Sequence, residues 1–175
     1  DEADRHRRML DMHAIEGGTT WQVEWFAAPV EGMASARLGD LVSARRSLER
    51  LEALVREVPS LTPLRDALRI MYQSRRGNLE LAIQYGEEYV AKYPPRSIIG
   101  WISCYGSYVA ALNAAGQHEK AREIGEYARK HVSEEDQQYP IVYGNLDREL
   151  AVTYALLGDY AKADALVQPL MQEIG

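Results

Sequence analysis

The chain has one cysteine, one phenylalanine and four histidines among 175 residues, and no apolar run near the roughly 18 to 20 residues needed to cross a bilayer. A single thiol, Cys104, excludes an intramolecular disulfide and a cysteine-rich zinc site, and its expected role is that of a small buried apolar residue. Asp1 to Arg8 lacks the basic-then-apolar order of a secretion signal, so a cytoplasmic protein with no membrane attachment is expected. No glycine-rich loop ends in Gly-Lys-Ser or Gly-Lys-Thr, and Asp1-Glu2-Ala3-Asp4 has no such loop upstream, so its likeness to a helicase motif implies no nucleotide site. No serine stands in a Gly-x-Ser-x-Gly elbow, and no histidine lies near Cys104 in sequence. His6, His13, His118 and His131 are scattered, and none has glutamate three residues before it, the spacing of di-iron sites in helical bundles. His6 and His13 share a face with Arg7, Arg8 and Asp11, which reads as a solvated face rather than a ligand pair. The expectation is a protein without catalysis, metal or cofactor.

Hydrophobic residues make up 46% of the chain, enough for a substantial core in one domain or one continuous array. The net charge of −6 is uneven: residues 1–76 carry twelve arginines against twelve acids, and residues 77–175 carry eight bases against fourteen acids. The acidic half would repel nucleic acid. Arg45, Arg46, Arg50 and Arg56 alternate with Glu49, Glu52 and Glu57, the pattern of a salt-bridged helix face.

Apolar residues recur at helical spacing, as in Leu41, Ala44, Leu48, Leu51, Leu54 and Val55, and no stretch alternates as a strand would. Thr62-Pro63 reads as a cap and first-turn proline, Pro94-Pro95 stops a helix before Ser97 opens the next, and Ser133 caps the acids that follow it. The spacing predicts an all-α chain of nine helices, at about 3–16, 20–38, 40–57, 63–76, 78–93, 97–115, 117–131, 136–157 and 159–174.

Four times a turn glycine is followed five residues later by alanine: Gly39 and Ala44, Gly77 and Ala82, Gly116 and Ala121, Gly158 and Ala163. The glycines lie 38, 39 and 42 residues apart, so one helix–turn–helix unit repeats along the chain. The glycine permits the turn between two antiparallel helices, and the alanine lets the second approach the first closely. Four full repeats are expected, at about 20–57, 63–93, 97–131 and 136–174, preceded by a half repeat at 1–16. The half repeat and the apolar Leu166, Val167, Leu170, Met171 and Ile174 of the last helix suggest one array, 1–175, cut from a longer one.

The segment from Tyr154 through Gly158 and Tyr160 to Ala163 resembles the centre of a tetratricopeptide repeat, with a tyrosine four before the turn glycine, an aromatic two after it and a small residue five after it. Pro94, seventeen residues past Gly77, matches the family's proline once, and Gly32 and Ala151 match its small residue seven before the glycine, where Ile70 and Val109 depart. The period also departs, at 38 to 42 against the family's 34. The resemblance implies a right-handed α-solenoid of antiparallel helix pairs acting as a protein-interaction module, the regulatory or scaffolding part of a larger protein of bacterial signalling type.

In that family the first helices of successive repeats line a concave surface. Carried over by register, they present Phe26, Pro29, Val30, Met33, Ala36 and Arg37; then Leu64, Ala67, Leu68, Met71, Ser74 and Arg75; then Ser103, Gly106, Ser107, Ala110, Asn113 and Ala114; and last Asn145, Arg148, Glu149, Val152, Ala155 and Leu156. Of these, Phe26, Met33, Arg37, Leu64, Leu68, Met71, Arg75, Ser107, Asn113 and Arg148 are the candidate groove residues. Met33 and Met71 are equivalent, as are Arg37 and Arg75: an adaptable apolar floor with arginines to fork onto an acid suits a peptide or helix partner. On the alternative reading the methionines fill the core and the arginines neutralise the ends of their own helices. Tyr85, Tyr89 and Tyr93 form a stripe on one helix, better suited to the core than to an interface. The lysine and asparagine clamp of chaperone-binding members is absent, since Pro29, Met33, Ala67 and Met71 occupy its places. Two further functions stand beside peptide binding: sensing a small ligand held between repeats, and homo-oligomerisation through the terminal helices.

Overall fold

The structure, a computed structural model, describes residues 20–98, 100–133 and 140–172; the side chains of residues 20–26, 140–144, 170 and 172 fall outside that description. The described residues form eight α-helices: α1 (Thr20–Leu38), α2 (Leu41–Glu57), α3 (Thr62–Arg75), α4 (Leu79–Lys92), α5 (Trp101–Ala114), α6 (His118–Arg129), α7 (Pro140–Leu156) and α8 (Tyr160–Gln172), with a 3-10 turn at Pro59–Leu61. No strand occurs among them, so the chain is all-α as the periodicity requires. The helix expected at 3–16, with His6 and His13, lies outside the described residues, as do the acids expected after Ser133.

Two expected helix starts are corrected. Ser97 does not open a helix: Arg96 and Gly100 both have positive φ, 66° and 81°, and α5 begins only at Trp101. Thr62 is not an N-cap, because its hydroxyl donates to the carbonyl of Pro59 at 2.7 Å and Leu61 stands at the cap position.

The four turn glycines repeat one geometry. Gly39, Gly77, Gly116 and Gly158 have φ between 72° and 83°, which an L side chain rarely adopts. In each turn the residue after the glycine donates its N–H to the carbonyl five residues back, as Asp40 does to Ser35 (2.9 Å) and Asp159 to Tyr154 (2.9 Å), satisfying carbonyls left over at the helix end. The carbonyl of that same residue then accepts from the alanine five past the glycine, as in Ala44 N–H to Asp40 and Ala121 N–H to Gln117. One residue therefore closes one helix and opens the next, which keeps every hairpin equally tight.

Packing follows chain order. Each odd helix packs on the next odd helix, and each of α2, α4 and α6 packs on its own partner and on the odd helix that follows. Ile70 and Val109, seven before their glycines, are completely buried in the largest core cluster, centred on Trp101, Tyr105 and Tyr108 of α5. Tyr89 is buried there with its ring edge-on to Tyr105, and Tyr85 and Tyr93 are half-buried against it, so the tyrosine stripe belongs to the core. Cys104 is completely buried, and burial pushes its thiol well above the ordinary range.

Close approaches at glycines join neighbouring hairpins, two of them at one register. A Cβ at Gly86 of α4 would run into the ring of Tyr108 on α5, and one at Gly125 of α6 would stand 2.8 Å from a methyl of Leu150 on α7. Each glycine lies nine residues past its turn glycine, so the same knob-into-gap contact occurs twice in succession.

Four carboxylates couple stability to pH with opposite signs. The hydrogen bond from Ser43 holds Asp40 below the usual carboxylate range, and that from Lys162 does the same for Asp159. Their folded values lie below the unfolded ones, so their stabilisation is present at neutral pH and lost as pH falls through the folded values. Burial raises Asp66 and Asp147 against the pull of Arg65 and Arg129; their ionised forms oppose folding at neutral pH, and that cost is relieved as pH falls through their raised values. The double variant Asp40→Asn, Asp159→Asn keeps a cap acceptor and is expected to lose less stability than the native chain between about pH 5 and pH 2, measured by urea unfolding across that range. Parallel pH profiles would contradict the assignment.

Candidate functional site

The odd helices α1, α3, α5 and α7 together line a cavity of about 290 Å³. Arg37 reaches it from the last turn of α1; Met71, Ser74 and Arg75 from the end of α3; Ser107, Ala110 and Ala114 from α5; Asn145, Arg148 and Glu149 from α7. All ten belong to the concave set read by register from the sequence. The Arg37 guanidinium donates to Asn145 Oδ1 at 3.3 Å, a side-chain bridge from α1 to α7.

The electrostatics of the cavity centre on Arg148. Its guanidinium donates to Asn145 Oδ1 at 2.7 Å and to Glu149 Oε1 at 2.6 Å, so one amide oxygen is shared by two arginines. Arg37 is exposed along its length, but its charged end is partly enclosed; burial, and then the positive charge of Arg148, lower its pKa, while Glu149 opposes them. It remains a cation, as arginine does throughout the physiological range. Ser74 and Ser107 donate their hydroxyl protons to the carbonyls of Ile70 and Ser103, both at 2.9 Å, and Ser107 is buried. The wall therefore combines arginines with Ser74, whose hydroxyl proton is committed, over a floor of Met71, Ala110 and Ala114.

Five of the ten candidate groove residues line this cavity: Arg37, Met71, Arg75, Ser107 and Arg148. Met33 is half-buried and packs between two core clusters, Leu64 is half-buried beneath Gly100, and the side chain of Phe26 lies outside the described residues. Leu68 is corrected: it is completely buried against Gly32, and a residue with no exposed surface offers none to a partner. Asn113 is spent on internal structure, donating to the carbonyl of Glu149 at 3.1 Å and accepting from the Thr153 hydroxyl at 3.1 Å, which pins α5 to α7.

A larger depression of about 540 Å³ lies on the other side of α3, between Leu41, Val42, Arg45, Arg46, Glu49, Tyr72 and Arg76. Its charges are largely engaged with one another: Arg45 pairs with Glu49 at 2.9 Å, and Arg76 lies over the ring of Tyr72. Among the described residues no three His, Cys, Asp or Glu side chains come together as metal ligands, and no helix is long and apolar enough to cross a membrane.

The described residues thus form successive helix hairpins with a cavity lined by arginines between the odd helices. Comparison with protein-family models, with curated proteins and with solved structures finds no match.

Proposed function

We propose that the chain is a tetratricopeptide-like α-solenoid that serves as a protein-interaction module, holding a peptide or helix in the concave groove formed by α1, α3, α5 and α7. The observation that carries this reading is the convergence of Arg37, Arg75 and Arg148 over Met71 in one cavity, since a core-filling role for the methionine and a helix-end role for the arginines do not require them to meet. Apolar anchors of the partner would be buried on the methionine and alanine floor, and its acid would pair with the arginines and set its direction. The module would be the regulatory or scaffolding part of a larger cytoplasmic signalling protein. A peptide-display selection on the native chain is expected to enrich sequences that combine an acid with apolar residues. The folded variant Met71→Asp, Arg37→Glu, Arg75→Glu should enrich none of them; the same sequences recovered on both would remove the groove from the account.

Self-assembly is favoured by a separate observation. Tyr160 (68% exposed), Val167 (38%) and Met171 (64%) leave α8 with an apolar face open to solvent. That reading requires a mass in solution that rises with concentration and falls on Met171→Lys.

A further inference from the structure

The cavity concentrates positive charge in a chain whose net charge is −6. Among the described residues three arginines line it and one acid, Glu149, stands with them, an excess of two positive charges. Arg148 is held by Glu149 and Asn145, and Arg37 shares the same amide. Arg75 makes no hydrogen bond or ion pair with any described residue, although its neighbour across the hairpin turn, Asn78, is bonded to Gln73 at 3.1 Å. Its guanidinium, with five N–H donors, is uncommitted among the described residues, on a side chain that lines the cavity.

The count of charges selects the ligand. Arg37 and Arg148 repel one another in a partly enclosed space, and an anion between them and Arg75 relieves that repulsion. A carboxylate brings one negative charge and leaves one positive charge over. A phosphate monoester brings about −1.5 to −2 at neutral pH and three strong acceptor oxygens, which matches an excess of two. Ser74, with its proton already given to Ile70, accepts rather than donates, so it suits a main-chain N–H beside the phosphorylated side chain. The volume of about 290 Å³ is just under the range of sites for drug-sized ligands and holds a phosphoryl group with a short stem.

We propose that this cavity is a phosphoryl-binding site and, resting on the peptide-binding reading above, that it takes a phosphorylated side chain of the partner peptide.

The test uses three degenerate peptide libraries, identical except that the fixed central residue is phosphothreonine, threonine or glutamate, together with phenyl phosphate alone. Retention on the native chain and the arginine side-chain N–H resonances are read in parallel. The phosphothreonine library is expected to bind at least about tenfold more tightly than the threonine library, with glutamate between them, and Arg75→Gln should remove most of that preference. Arg122→Gln, on the outer helix α6 where Arg122 pairs with Glu119, should preserve it. Phenyl phosphate binding as tightly as the phosphopeptides would keep the phosphoryl site and assign it to a free phosphorylated molecule. Equal retention of the phosphothreonine and threonine libraries, both lost on Met71→Asp, would overturn the phosphoryl site and leave the groove. Phenyl phosphate shifting the Arg75 resonance with no library retained would leave the phosphoryl site and remove the peptide groove. No retention and no shift would overturn both.

Discussion

Tyr108→Ala is expected to lower the stability of the protein by about 3–5 kcal/mol, the cost of removing a large aromatic ring from a close-packed core. Tyr108 is 1% exposed and sits against Gly86 of the preceding hairpin, in the cluster that joins α3 through α7. Gly86→Ala attacks the same contact from the other side. Its added methyl meets the ring of Tyr108, a rigid group confined by its neighbours, and such overpacking costs about 1–3 kcal/mol. The double variant is the informative one: once the ring is gone the methyl has room, so the two costs should sum to more than the double variant loses. Urea unfolding of the four proteins measures this directly. Strict additivity would mean that the hairpins are not registered by this contact.

Arg37→Glu with Arg75→Glu is expected to weaken binding of a selected peptide by at least about a hundredfold, since hydrogen bonds to charged groups contribute about 1.5–3 kcal/mol each and every 1.4 kcal/mol is tenfold. Both residues line the cavity, one from α1 and one from α3, and reversal places two negative charges beside Glu149. Fold stability should change little, because Arg75 has no polar partner among the described residues and Arg37 gives up only a 3.3 Å bond to Asn145. Salt gives an independent readout. Affinity of the native chain should fall on raising ionic strength from about 0.05 to 0.5 M, as partly exposed charge pairs are screened, and affinity of the variant should not. Titration calorimetry at both salt concentrations, with circular dichroism as the folding control, measures each effect. An affinity that survives the reversal in a folded variant would remove arginine pairing from the mechanism.

The repeat was legible because the residues that fix it act locally. A left-handed turn admits glycine and few others, so Gly39, Gly77, Gly116 and Gly158 mark the hairpins in the sequence as clearly as in the structure. The four full helix pairs follow from them. Less legible were contacts between hairpins. Gly86 and Gly125 stand nine residues past their turn glycines, a regularity present in the sequence, but a glycine inside a helix carries no mark of the ring or methyl that will fill it. The start of α5 was less legible because Arg96, a non-glycine at positive φ, carries no mark of the left-handed turn that lengthens the loop after Pro94-Pro95.

The site divides in the same way. Register put Arg37 and Arg75 at equivalent positions, and the third and fourth repeats carry Ala114 and Leu156 there instead. Arg148 occupies a different register position, ten before its glycine, and joins the other two through packing that brings α7 within hydrogen-bond reach of Arg37. That packing depends on several hairpins together and is not written at any one residue. Leu68 shows the reverse error: a groove position by register is a core position in fact, because Gly32 opens a gap into which the leucine packs.

The central claim, that a partner lies along the inner row of odd helices, is tested most directly by hydrogen exchange on the native chain, free and loaded with a selected peptide. The account predicts slowed exchange at the cavity-bearing stretches of α3, α5 and α7, around Met71 to Arg75, Ser107 to Ala114 and Asn145 to Glu149, with α2, α4 and α6 unchanged. Slowed exchange confined to α8, or to the outer helices, would contradict it.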